Sequence, residues 1–280
     1  MLRVSLVLVL FILTLNANIL RVGYSTDSFN ELSKKDSQIV LNLWFKDMMK
    51  SAEHKAEFTF YDDITLMADD FNAGKLDLVF ANGIELIKYF DLSQMQGAFT
   101  GGAKGENTDN LVEVRRKSTS SDSLKRQKVI KISLLQGENP SKIYAQSVIV
   151  KEYKNSETFF TYTRKNSAAL LKLFFKQVDI AIVPTKTFLF ATELNPQIGY
   201  KLEIFHKTDI SLGTLGYFHK DIDTKFRKEV TDLAFKEVES ERGKQMLVMF
   251  KTHRLIKVKI DKLDPIIKLY KEYQKQQGLL

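Results

Sequence analysis

The 280-residue chain contains no cysteine. That excludes disulfides, thiolate metal sites and a cysteine nucleophile, and it excludes a lipid-modified N-terminal cysteine. Histidine is scarce: His54, His206, His219 and His253 lie far apart, without metal-ligand spacing and without an HExxH motif, and they read as surface or strand residues. There is no GxSxG serine elbow. The glycine-rich Gly101–Gly105 stretch lacks the GxxxxGKS/T pattern and a strong preceding strand, so it reads as a loop. These absences weaken an enzymatic reading without removing it, because one fold hosts many functions.

Long apolar runs are also lacking, with one exception. Val4–Leu13 follows Arg3 and contains only Ser5 as a polar residue, and Asn16-Ala17-Asn18 then offers a small residue for cleavage. The run falls short of the ~20 residues that span a bilayer, so residues 1–17 are expected to be a cleaved signal peptide that sends the protein to the periplasm. The alternative is an uncleaved anchor.

What is present is ordinary for a packed protein: 44% hydrophobic, 27% charged and 11% aromatic residues. Lys and Arg number 42 against 34 Asp and Glu, a net charge of +8. The two signs are interspersed, as on a solvated surface; an electropositive cleft that attracts anions is the other reading. No nucleic-acid recognition motif accompanies the charge.

From Ile19 the hydrophobic period alternates between strand and helix. Ile19–Tyr24, Glu57–Tyr61 and Leu76–Phe80 read as strands, separated by helices over Asp36–Ala52 and around Leu66–Phe71, with a short helix at Gly83–Phe90 following. Gly97–Asn110 reads as a loop, Leu111–Arg116 as a strand, and Ser118–Ser123 as a polar break between halves. A second series repeats the pattern, with strands at Val129–Leu134, Thr158–Tyr162, Val178–Val183 and Leu202–His206. Its helices are Ser141–Lys154, Ser167–Lys176 and Thr185–Leu194. Gly213–Phe218 and helices at Thr224–Ser240 and Leu263–Gln276 close the chain. Such alternation implies mostly parallel sheets covered by helices, an α/β fold. The halves echo one another: Asn72–Val79 (NAGKLDLV) and Phe174–Ala181 (FFKQVDIA) each run from a helix end through Asp into an apolar strand. Two similar lobes follow, with 18–115 as the first part of lobe 1, 116–210 as lobe 2, and 211–280 returning to lobe 1. The connections near Leu111–Arg116 and Ile210–Tyr217 are the expected hinge strands.

Four stretches carry a resemblance: Leu20–Ser28 (LRVGYSTDS), Phe60–Asp63 (FYDD) with Leu76–Gly83 (LDLVFANG), Gln177–Pro184 (QVDIAIVP), and Tyr217–Ile222 (YFHKDI) with Leu263–Ile266 (LDPI). In this order they resemble the type 2 periplasmic binding proteins, especially the phosphate/phosphite/phosphonate-binding branch of ABC importers. Ile210–Leu215 departs from that pattern in lacking a proline before the return strand. The resemblance implies a two-lobed fold with hinge strands, no enzymatic activity and no cofactor. It implies a monomer that captures a small anion between the lobes and delivers it to a membrane permease. A sensor signalling to a membrane receptor, or an enzyme on the same scaffold, are the alternatives.

In open α/β sheets, ligands sit at the carboxyl ends of strands, where helix N-termini welcome anions. The candidate ligand residues are therefore Tyr24, Ser25, Thr26, Tyr61, Asp62, Asn82 and Gly83 in the first lobe, and Gln136, Asn139, Ser141 and Thr185 in the second. Each of the polar ones also suits a helix cap, and Tyr24 also suits a core. Asp62 would call for an amine-bearing ligand if it reached the cleft; otherwise it caps a helix.

Overall fold

A computed structural model describes residues 18–29, 33–102, 109–137 and 139–279. The expected signal segment lies outside these residues. Among the described residues, no helix is long and apolar enough to cross a membrane.

The strands are β1 (Ile19–Ser25), β2 (Lys55–Tyr61), β3 (Leu78–Ala81), β4 (Met95–Gly97), β5 (Phe99–Gly102) and β6 (Asn110–Arg116). They continue with β7 (Val129–Leu135), β8 (Glu157–Thr163), β9 (Ile180–Pro184), β10 (Leu202–Ser211), β11 (Leu215–His219) and β12 (Arg254–Lys257). The helices are α1 (Lys34–Lys50), α2 (Ile64–Asn72), α3 (Gly83–Tyr89), α4 (Ser121–Lys125), α5 (Pro140–Tyr144) and α6 (Val150–Glu152). They continue with α7 (Asn166–Phe174), α8 (Thr185–Leu194), α9 (Pro196–Lys201), α10 (Thr224–Glu237), α11 (Glu241–Met249) and α12 (Asp264–Gln276). One π turn, Ala145–Ile149, joins α5 to α6, so the expected Ser141–Lys154 helix is a composite.

Two five-stranded sheets form the lobes. The first runs β2-β1-β3-β11-β4 and the second β10-β6-β9-β7-β8. In the first sheet β1, β2 and β3 are parallel and in the second β7, β8 and β9; β11 pairs antiparallel with β3 and β6 antiparallel with β9. Central strands covered on both faces should be continuously apolar, and β3 (LVFA) and β9 (IAIVP) are buried at every residue. The edge strands β2 (KAEFTFY) and β8 (ETFFTYT) largely alternate, keeping one face toward solvent.

The internal echo has a physical meaning. Helices α2 and α7 both end in a Schellman turn: Lys75 N–H bonds Asp70 O and Gln177 N–H bonds Lys172 O, both at 2.9 Å. The residues in the left-handed conformation are Gly74 (φ 71°) and Lys176 (φ 60°). Three residues on, an aspartate clamps a parallel neighbour in its sheet, β1 or β7. Asp77 accepts from Arg21 N–H at 2.8 Å and from the Arg21 guanidinium at 2.7 and 2.9 Å, while its own N–H bonds Arg21 O. Asp179 accepts from Lys131 N–H at 3.0 Å and from Arg116 at 3.1 Å, and its N–H bonds Lys131 O.

The structure departs from the sequence reading at three places. Within the expected loop Gly97–Asn110, Phe99–Gly102 forms β5, antiparallel to β12, because Phe99 is buried against the first-lobe core; four residues are too few for alternation to show. Strand β6 pairs with β9 and β10, so the chain crosses to the second sheet between Gly102 and Asn110, ahead of the expected 115/116 boundary. Leu111–Arg116 and the Ser118–Ser123 break therefore both lie inside the second lobe, the latter capping α4 through Ser120. The return crossing falls between Ser211 and Leu215. Helix α12 adds a third link, with Glu272 paired to Lys151 and Gln276 donating to Ser147 O at 3.2 Å.

Two features of the second lobe yield predictions. A left-handed lysine at position 176 costs what glycine at position 74 does not; Lys176→Gly should raise stability by about 0.5–1 kcal/mol, read from chemical denaturation. Glu113, on the interior strand β6 of the second sheet, is fully buried and accepts Tyr144 O–H at 2.5 Å. Burial pushes its carboxyl up from 4.5 to about 7. A raised carboxyl keeps its proton longer in the folded state, so stability present below pH 4.5 is lost as pH rises toward 7, on the order of 2–3 kcal/mol. Glu113→Gln should lessen this slope and leave the share of Glu85, whose buried carboxyl is also raised to about 7; an unchanged slope would show that Glu113 does not contribute.

Candidate functional site

A cavity of about 140 Å³ lies at the junction of the lobes. Its walls come from the ends of β1 and β3 (Tyr24, Ser28, Phe29, Asn82), from the first residues of α7 and α8 (Asn166, Lys186, Thr187), and from the return crossing (Gly213, Thr214). This is the carboxyl edge of both sheets, where loops and helix N-termini meet.

Which helix starts remain open to a ligand depends on their caps. At α3, Asn82 Oδ1 accepts the Ile84 and Glu85 N–H groups at 3.0 and 3.1 Å, and Glu85 Oε2 accepts Asn82 N–H at 2.9 Å, a complete capping box. Ser25 Oγ donates to Glu85 at 3.0 Å. Burial raises the Glu85 carboxyl to about 7, against the pull of these two hydrogen bonds. At α5, Asn139 Oδ1 takes the Ser141 and Lys142 N–H groups, and its amide nitrogen donates to the carbonyls of Leu135, Gln136 and Gly137. Helix α2 is capped by Asp63, through Thr65 N–H at 2.9 Å. By contrast α7 and α8 begin at Lys165 and Pro184 without a side-chain cap. Their first residues are the ones that line the cavity.

Lys186 is held in place there. Its ammonium pairs with Asp109 at 2.9 Å, and its N–H bonds the other Asp109 carboxylate oxygen at 3.1 Å. Asp109, 1% exposed, sits at the first crossing, and its carbonyl accepts Leu212 N–H at 2.9 Å from the second. One residue thus ties both crossings to the start of α8.

The candidate residues distribute as follows. Tyr24 and Asn82 line the cavity. Tyr24 stacks between Phe29 and Phe80, at ring separations of 4.9 and 5.5 Å, and burial raises its phenol well above the ordinary range. Ser25 bonds Glu85 behind Asn82, and Gly83 faces α12: a Cβ there would come within 2.1 Å of Ile266. Thr26 and Asp62 meet each other and Lys34, whose ammonium is 2.9 Å from Asp62. Asp62 is therefore paired by the protein itself, and the helix cap falls to its neighbour Asp63. Tyr61 donates to Asp70 at 2.8 Å. Gln136 is exposed, Ser141 donates to Asn139, and Thr185 donates to Asn110 O at 2.9 Å. Asn166, Lys186 and Thr187 were not among the candidates, although the missing cap residue before each helix was visible: Lys165 and Pro184 cannot accept N–H groups through their side chains.

Comparison with known proteins places this geometry in a wider setting. Residues 33–263 match the family described as ABC transporter, phosphonate, periplasmic substrate-binding protein. No curated protein sequence matches the chain. Among solved structures, PhnD1 from Prochlorococcus marinus in complex with methylphosphonate is similar at TM-score 0.63 and 16% identity, covering 94% of this chain and 99% of that one. A binding protein component of an ABC phosphonate transporter from Pseudomonas aeruginosa is similar at TM-score 0.57 and 15% identity, covering 94% and 88%. A Xanthomonas citri protein bound to ATP is similar at TM-score 0.61 and 10% identity, covering 94% and 99%. At such identities the likeness speaks for the two-lobed fold. The family match, spanning most of the chain, goes further: this protein belongs to the periplasmic substrate-binding proteins of phosphonate ABC transporters.

Proposed function

We propose that this chain captures a phosphonate-type oxyanion in the cavity between its lobes and hands it, chemically unchanged, to the membrane permease of an ABC importer. The observation that carries the reading is convergence. In a chain of this family, hydrogen-bond donors from both lobes line one cavity: Asn82 from the first, and Asn166, Lys186 and Thr187 from the second. Asn82 commits its oxygen to the cap, which leaves its amide nitrogen as the group it presents. The start of α7, which its preceding residue does not cap, turns the positive end of its dipole to the cavity, which suits an anion; at α8 the Lys186 N–H is already taken by Asp109. Lys186 adds a charge that is held rather than floppy, so little side-chain entropy is lost on binding.

The protein works as a monomer in the periplasm after residues 1–17 are removed. Closure turns the lobes about the two crossings, a hinge motion of the kind that clamps ligands in two-lobed proteins. Because Asp62 already has Lys34 as its partner, the ligand needs no amine to satisfy it.

Thermal denaturation of the mature protein with phosphate, phosphite and methylphosphonate tests the reading. A ligand at a hundred times its Kd stabilises the native state by about 2.7 kcal/mol, a rise of several degrees in Tm. Lys186→Gln should weaken that ligand on the order of tenfold or more, as loss of a hydrogen bond from a charged donor does. A panel in which no oxyanion raises Tm, or a Lys186→Gln protein that binds as tightly as the parent, contradicts it.

A further inference from the structure

The cavity does not stop at its polar mouth. It runs on into the first lobe between α1, α11 and β12, where Leu41, Trp44 and Phe45 face Met246, Phe250 and Leu255. Protein interiors close apolar voids of this kind, because an unfilled one forfeits packing contacts. Small-molecule sites, in contrast, are mostly apolar with a few placed polar groups.

We infer that the ligand carries an apolar substituent of several carbons, alkyl or aryl, beside its oxyanion, and that this substituent occupies the space against Trp44. The inference rests on the phosphonate reading for the head group alone. Selectivity for a substituted over a small phosphonate then arises from area removed from water, which is non-directional and grows with each methylene.

Trp44 is the one tryptophan of the chain, so intrinsic emission reports directly on this wall. The full mature chain is titrated with methyl-, butyl-, hexyl- and phenylphosphonate, with inorganic phosphate, and with hexan-1-ol as an apolar probe lacking an anion. Kd should fall about fourfold per methylene from methyl to butyl, and butyl- and phenylphosphonate should shift Trp44 emission where methylphosphonate does not. Leu255→Phe, which narrows the apolar end, should reduce the preference for butyl over methyl. Methylphosphonate binding as tightly as the longer compounds, with Trp44 emission unmoved by any of them, overturns the inference. Hexan-1-ol shifting Trp44 emission while no phosphonate binds supports the apolar site and overturns the phosphonate reading instead. Silence of Trp44 toward every compound overturns the apolar site.

Discussion

The site depends on two aspartates that never touch it. Asp77 and Asp179 each stand at the amino end of a central strand and grip the backbone of a neighbouring parallel strand. Each is also met by an arginine, Arg21 or Arg116. A strand has a side-chain period of two, so a slip of one residue would turn every side chain to the wrong face. Fixing the entry of β3 fixes where it ends, and hence where Asn82 meets the cavity. Fixing the entry of β9 likewise sets the position of Pro184 and the helix start that follows it. The clamp at one edge of each sheet therefore determines the chemistry at the other.

Caps then sort the helix starts into those capped by the residue before them and those that are not. Asn82, Asn139 and Asp63 each satisfy the orphan N–H groups of the helix they begin. The residues before α7 and α8 do not. Here the uncapped pair belongs to the second lobe and the aromatic wall to the first, so a ligand that touches both favours the state in which the lobes are together. Asp109 supports the arrangement from behind by joining both crossings to Lys186.

Much of the fold was legible in the amino-acid order. The strand–helix alternation, the two lobes and the echo around Asp77 and Asp179 all follow from period and spacing, because buried parallel strands and amphipathic helices leave strong patterns. Short elements such as β5, β12 and α9 left little pattern to read. The site was less legible. Ser, Thr, Asn and Asp at helix starts drew attention as ligand residues, yet Asn139 serves the backbone and Asp62 is held by Thr26 and Lys34. The starts that line the cavity were preceded by a lysine and a proline, residues that attract no notice as ligands. The apolar wall was hidden for another reason: Leu41, Trp44 and Phe45 recur at helical spacing and look the same whether they face a core or a cavity. Only the packing of α11 and β12 against α1 tells the two apart.

The central claim is that one cavity holds the ligand between groups from both lobes. A crystal structure of the mature protein with bound butylphosphonate tests it most directly. The account predicts phosphonate oxygens within hydrogen-bond distance of Lys186 and the first residues of α7 and α8, with Asn82 closing from the opposite lobe and the alkyl chain against Trp44. A phosphonate seated instead at the capped start of α5, beside Asn139 and Ser141, with the junction cavity filled by water, would contradict it.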